Sequence, residues 1–214
     1  QTCALPIFVD AVTRVTAGEP VSAEGKAAYR ELGARLLPVL RREPETSLLA
    51  AAAGAAGGLT DEQIISNAAV LLFGGIETTE GMIANALFHL FSNPEVLDKV
   101  KADDALIPKV VEESLRMEPA ASVIDRYTTR DVQLGEANIL EGELVRVSLV
   151  GANRDPAIFP NPDQFDPSRP NLLSHVTWAQ GPHVCLGLHL ARLEAQQSLK
   201  ILLSKLLDLR LVDE

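Results

Sequence analysis

The sequence predicts a mainly α-helical chain with a minor β-sheet, and three observations carry that prediction. A capping signal at Thr60 opens an apolar helical pattern that runs to about Ser92. Further helix-spaced segments lie on either side of it, at Lys26–Arg42, Pro94–Ala102, Leu106–Met117 and Cys185–Leu207. Between the last two, Val123–Thr129 and Asn138–Val150 are rich in β-branched residues and are broken by Gly135 and Gly142, the pattern of a small sheet.

The elements follow in order. Residues 1–7 (QTCALPI) lack an initiating Met and read as a cloning or sequencing artefact, so residues 8–214 are the part to interpret. Lys26–Arg42 sets Tyr29, Leu32, Leu36, Leu37 and Leu40 on one side, with Pro38 expected to kink the helix. Leu48–Leu59 (LLAAAAGAAGGL) reads as an apolar run outside a helical pattern, too short and too glycine-rich to span a bilayer. Thr60-Asp61-Glu62-Gln63 is a capping box with acids in the first turn. The helix it opens is about 50 Å long and apolar on most sides, so burial is expected. At Ser92-Asn93-Pro94-Glu95 the chain stops and restarts, with Asn93 as N-cap and Pro94 at the first helical position. Asp155–Asn171 carries five prolines and predicts an ordered but irregular connector. No repeat and no linker divides the chain.

The totals exclude several functions. A chain of 214 residues with 47% hydrophobic and 22% charged residues can bury a core. Its net charge of −10 argues against binding a nucleic-acid backbone. No segment reads as a membrane span, and two cysteines build no disulfide framework, so a reducing cytoplasm is the expected compartment. Phosphate loops, G-x-S-x-G elbows and G-x-G-x-x-G turns are all missing from the sequence.

Three constellations can carry chemistry. In FGGIETTEG (73–81), Gly74 and Gly75 interrupt a long helix at a cost of roughly 1 kcal/mol each, beside Glu77 and Thr78. Close helix packing explains the glycines alone. Approach of a flat ligand explains them together with a proton-relaying Glu77 and a Thr78 hydroxyl that can open the helix locally. In ESLR, Glu113 and Arg116 lie on one helical face and can pair, although most such pairs are solvated and contribute little. Nearby Glu112 and Glu118 favour that solvated reading. In WAQGPHVCLGLHLAR (178–192), Cys185 stands between His183 and His189 at what reads as the first turn of a helix. Zinc lacks a fourth ligand and a Cys-x-x-Cys pair. A Cys–His nucleophile leaves Gly181 and Gly187 unexplained, whereas a large flat ligand against the loop accounts for both. A buried, inert thiol is the remaining alternative.

Taken together and in this order, these stretches resemble the cytochromes P-450, the haem-thiolate monooxygenases. GGIETT looks like the oxygen-activation motif, ESLR the Glu-x-x-Arg motif, ANRDPAIFPNPDQFDPSR the meander of bacterial members, and WAQGPHVCLG the cysteine loop. The resemblance covers roughly residues 20–214 and implies the C-terminal part of a single P-450 domain, lacking the N-terminal half and the closing hairpin. It implies haem b as cofactor and Cys185 as the axial ligand of its iron. It assigns Gly187 and Gly75 to leave room for the ring, His183 and Arg126 to the haem propionates, and Trp178 to the thiolate side. Thr78 would hold oxygen and Glu77 deliver protons, while Glu113, Arg116 and Arg169 would form a buried structural triad. His189 becomes an ordinary helix residue. Val70, Gly74, Glu77, Val123 and Ile124 become candidate substrate contacts. The chain departs from the pattern at Trp178, where most members have Phe, and at Ala179, where Gly is usual.

The implied function is insertion of one atom of O2 into a small organic molecule, with a ferredoxin or ferredoxin reductase as electron donor and no nucleic-acid or membrane partner. A second reading makes the chain a catalytically incompetent fragment, or a haem-binding or interaction module that never turns over.

Overall fold

The computed structural model describes residues 11, 20, 22–42, 47–54, 58–206 and 209–211. Residues 1–7 lie outside that set. The chain divides into two compact units, Gln1–Glu77 and Thr78–Glu214, and the division falls inside a continuous helix rather than at a linker.

In the first unit, helix α1 (Ala23–Arg42) continues through Pro38 for a further turn. Helix α2 (Leu48–Gly54) replaces the non-helical run expected there. Four consecutive alanines have no amphipathic period, but alanine is the strongest helix former. Ser47 supplies the start, its Oγ accepting the Ala50 N–H at 3.1 Å. Leu40, Ala50 and Ile64 form the small core of this unit.

Helix α3 (Asp61–Ser92) begins at the capping box, and both reciprocal bonds form. Thr60 N–H donates to Gln63 Oε1 at 2.9 Å and Gln63 N–H to Thr60 Oγ1 at 3.3 Å. The expected burial of its middle does not occur: Val70 is 68% exposed, and Gly74, Gly75, Ile76 and Glu77 are exposed with it. An all-round apolar helix needs neighbours on every side, and the described residues leave this stretch uncovered.

The second unit contains the larger core. Met82, Ala86 and Leu90 of α3 pack with Leu97 and Val100 of α4 (Pro94–Ala102), Val110, Val111 and Leu115 of α5 (Ile107–Met117), and Phe165. Ala195 and Leu199 of α7 (Leu188–Lys205) close it. Each large side chain fully buried here contributes roughly 1.5–3 kcal/mol. Asn93 does not cap α4 through its side chain; Nδ2 donates back to the His89 carbonyl at 2.8 Å, tying the end of α3 instead.

One small sheet was expected, and two separate two-stranded antiparallel sheets form. Strand β1 (Val123–Tyr127) pairs with β4 (Leu144–Ser148), and β2 (Val132–Leu134) pairs with β3 (Ala137–Ile139). Gly135 (φ 60°) and Gly142 (φ 84°) turn the chain in conformations that suit glycine, so the long β-branched run splits at its turn residues. The run also ends early: Leu149–Ala152 is the short helix α6. The connector after α6 has neither helix nor strand as far as the turn at Leu172–Ser174. Among the described residues no helix is long and apolar enough to cross a membrane.

Candidate functional site: the cysteine loop and the charged cluster beneath it

The site is built on α5, whose nine residues from Ile107 to Met117 that face inward include three charged side chains. Glu113 and Arg116 are both 0% exposed. Arg116 donates Nε to Glu113 Oε2 and Nη2 to Oε1, each at 2.8 Å. Its remaining N–H groups reach the carbonyls of Asn153 (3.0 Å), Pro162 (2.8 Å) and Gln164 (3.2 Å), and its guanidinium lies 5.3 Å from the centroid of buried Phe159. Arg169 Nε donates to the same Glu113 Oε1 at 2.8 Å, with Nη2 on the carbonyls of Asn161 and Gln164. One carboxylate and two guanidiniums leave a buried positive charge, and backbone carbonyl dipoles of the proline-rich connector surround it. The connector is irregular because its carbonyls serve two arginines instead of a ladder. Asn161 adopts φ 51° to deliver its carbonyl, a conformation Asn tolerates better than most residues.

Asn153 connects this cluster to the cysteine loop. Its Oδ1 accepts the Val176 N–H and its Nδ2 donates to Thr177 Oγ1, both at 2.8 Å, while Thr177 Oγ1 donates to the Leu115 carbonyl at 2.8 Å. The loop then turns at Ala179 (φ 60°) and Gly181 (φ 79°) into a single 3-10 turn, Gly181–His183. Cys185 N–H donates to the Trp178 carbonyl at 2.9 Å, so the thiol-bearing residue is fixed by the first residue of its own loop.

Cys185 is partly exposed and is a free thiol. It lies before α7, which starts at Leu188 with Gly187 as N-cap. The expected place in the first helical turn is therefore corrected by three residues, because the Pro182 turn and Gly187 delay the helix. Val184 (47%), Leu186 (68%) and Leu190 (60%), near Cys185 in the chain, are exposed apolar side chains. Cβ atoms added at Gly181 or Gly187 would meet nothing within 4 Å. The Trp178 indole Nε1 is buried and has no hydrogen-bond partner.

The structure brings Glu113, Arg116 and Arg169 into one cluster, and joins Trp178 to Cys185 by one backbone hydrogen bond. It does not join Arg126 to His183: both are exposed, and Arg126 Nη1 donates to the carbonyl of Asp125 at 2.8 Å. Thr78 is half-buried and Glu77 exposed on α3, and Cβ atoms at Gly74 and Gly75 would meet nothing within 4 Å. Val123 is exposed and Ile124 half-buried on β1. His189 is exposed on α7, and among the described residues no group of three His, Cys, Asp or Glu side chains could hold a metal ion.

Glu112, read from sequence as a solvated neighbour, is buried. It accepts Arg192 Nε at 2.7 Å, Arg192 Nη2 at 2.9 Å and His175 Nε2 at 3.1 Å. Burial acts to raise its pKa, but the hydrogen bonds from His175 and Arg192 outweigh burial and hold it below the usual carboxylate value. The Arg192 guanidinium lies 5.2 Å from the centroid of the Trp178 ring. His89, whose Nδ1 is 3.0 Å from Ser114 Oγ, stacks on Phe165 and has its pKa lowered by burial.

The cytochrome P-450 family model matches residues 43–207. The chain belongs to the cytochrome P-450 family. It is 39% identical over 193 residues to cytochrome P-450 107B1 of Saccharopolyspora erythraea, covering 88% of this chain and 47% of that protein. It is 42% identical over 156 residues to the biotin biosynthesis cytochrome P-450 of Bacillus subtilis, covering 72% of this chain and 39% of that one. Among solved structures, P450BioI in complex with an acyl carrier protein ligated to hexadec-9Z-enoic acid superposes with TM-score 0.87 and 31% identity, over 99% of this chain and 56% of that one. The P-450 fold is thus shared, and the chain spans about half the length of the relatives it matches.

Cytochromes P-450 bind haem b. The residues present fit such a group. A soft, partly exposed thiol has exposed apolar residues near it in the chain, the glycines of its loop leave open space, and a buried indole N–H lacks an acceptor.

Proposed function

We propose that the protein to which this chain belongs is a cytoplasmic haem-thiolate monooxygenase acting on a small organic molecule, with electrons from a ferredoxin or ferredoxin reductase. The observation that carries the reading is the cysteine loop: a free thiol on a residue held by a backbone hydrogen bond, with exposed apolar residues near it in the chain and room for a flat ligand at the glycines. Cys185 would hold the haem, which when bound would supply the oxygen-activating chemistry.

The other roles belong to this chain's own side chains. Gly187 and, by the resemblance alone, Gly75 would each present bare backbone to a flat ring. Arg126 and His183 are assigned to the propionates, for which exposed hydrogen-bond donors are suited. Thr78 holds a proton at its hydroxyl and Glu77 exchanges protons with solvent, a role that its exposure supports. The triad of Glu113, Arg116 and Arg169 keeps the connector in place under the loop.

The test is the absorption spectrum of the reduced, CO-bound chain purified with haem. A strongly red-shifted Soret band, lost in Cys185→Ala, supports ligation by this thiolate. Haem bound with an unshifted band, or a shifted band that survives Cys185→Ala, overturns the assignment. A chain that shows the band but does not turn over with any electron donor falls under the second reading, a haem-binding module without activity.

A further inference from the structure

Glu113 and Glu112 are adjacent on α5, and they hold different things. Glu113 holds the connector. Glu112 holds α7 and the cysteine loop, through a sequence of contacts that ends at the thiol-bearing residue. Glu112 takes both Arg192 N–H bonds in a fork and a third bond from His175, whose side chain is 1% exposed. Arg192, so fixed, lies over the Trp178 ring at 5.2 Å. Trp178, so clamped, offers the carbonyl that takes the Cys185 N–H at 2.9 Å.

We propose that Arg192 is a positioning residue for Cys185. Locked by Glu112 and backed by His175, it holds the Trp178 indole in place and thereby sets the backbone hydrogen bond that orients Cys185. This rests on the reading of Cys185 as the haem ligand. The chemistry requires Arg. A planar guanidinium binds a carboxylate with two parallel bonds and stacks on an aromatic face at the same time, whereas a lysine ammonium does one or the other. Arg192 is only 24% exposed and Glu112 9%, so the pair is not a solvated surface bridge.

The chain contains a single tryptophan, so its intrinsic emission reports on Trp178 alone. The test compares the full chain with Arg192→Lys and with the double variant Glu112→Gln/Arg192→Met. The double variant removes the carboxylate and the guanidinium together, so neither is left buried without the other. Far-UV circular dichroism checks that each variant retains its helices. Without haem, Arg192→Lys is expected to red-shift the emission and raise the released, quencher-accessible fraction about fivefold, equivalent to about 1 kcal/mol of lost cation–π contact. With haem, both variants are expected to lose part of the thiolate-type Soret band of the reduced CO complex while the full chain keeps it. Wild-type emission and an undiminished thiolate band in the folded double variant overturn the proposal. So does a released indole with the band unchanged, since Trp178 would then not control Cys185. Absence of the band from the unsubstituted chain is a different result: it removes the ligand reading itself, and the proposal with it.

Discussion

Arg116 grips both oxygens of Glu113 at 2.8 Å, and neither side chain reaches solvent. All five guanidinium N–H groups have acceptors inside the protein. Removing one partner leaves the other buried and charged, which costs about 3–5 kcal/mol. Against a typical total stability of about 5–15 kcal/mol, Arg116→Leu and Glu113→Gln should bring the chain near its unfolding threshold. Arg116→Lys should cost nearly as much, because an ammonium cannot reach a carboxylate and three separate carbonyls at once. Urea unfolding checks this. A wild-type midpoint in Arg116→Lys would show that charge alone, not the fork, holds the connector.

His89 makes stability depend on pH. Burial lowers its folded pKa below the ordinary 6.5, and the opposing influence of Glu118 and Glu113 is countered by Arg154 and Arg116. The unfolded chain therefore binds the proton more readily. The contribution is fully present above about pH 6.5 and is lost as pH falls from there through the folded pKa. Glu112, held below its ordinary 4.5, adds a second loss at lower pH for the same reason of sign. Unfolding free energy measured against pH should fall in two stages. His89→Gln should flatten the upper stage and leave the lower one; an unchanged upper stage would remove His89 as its source.

Local chemistry makes the capping box and the turns legible in the sequence, whereas contacts between distant residues are not. Thr60 and Gln63 are three residues apart, and their reciprocal bonds follow from the sequence alone. Gly135 and Gly142 likewise mark turns by their own chemistry. The alanine run of α2 carries no helical signal in its pattern, because periodicity is silent where every side chain is the same. Glu112 reads as solvated in the sequence because its partners, His175 and Arg192, lie 63 and 80 residues away. The exposed middle of α3 failed for the opposite reason: apolar sequence states a demand for burial, not that the chain meets it.

That exposed stretch gives a prediction that separates folding from ligand binding. A Cβ at Gly75 would meet nothing within 4 Å. Gly75→Ala should therefore raise the stability of the haem-free chain by about 1 kcal/mol through helix propensity alone. If Gly75 presents bare backbone to a flat ring, the same substitution should lower the ratio of haem to protein after reconstitution. Gly81→Ala is the comparison. There the new Cβ would stand 3.3 Å from Ala120 Cβ, so tight packing should cancel part of the gain. A stabilised Gly75→Ala chain that keeps its full haem content would remove Gly75 from the site.

Ala179 is strained where glycine is free. Its φ of 60° places a Cβ in the left-handed region, which costs roughly 1–2 kcal/mol for an L-residue. Ala179→Gly removes that strain but lets the unfolded chain gain about 0.4–1 kcal/mol of conformational freedom. The strain is the larger quantity, so the variant should be more stable by about 0.5–1 kcal/mol in urea unfolding. Trp178 and Cys185 flank this turn and are joined by a backbone hydrogen bond, so the relaxed turn should leave the emission of Trp178 where it is. A destabilised Ala179→Gly chain would mean that the alanine methyl makes a contact that outweighs its backbone conformation.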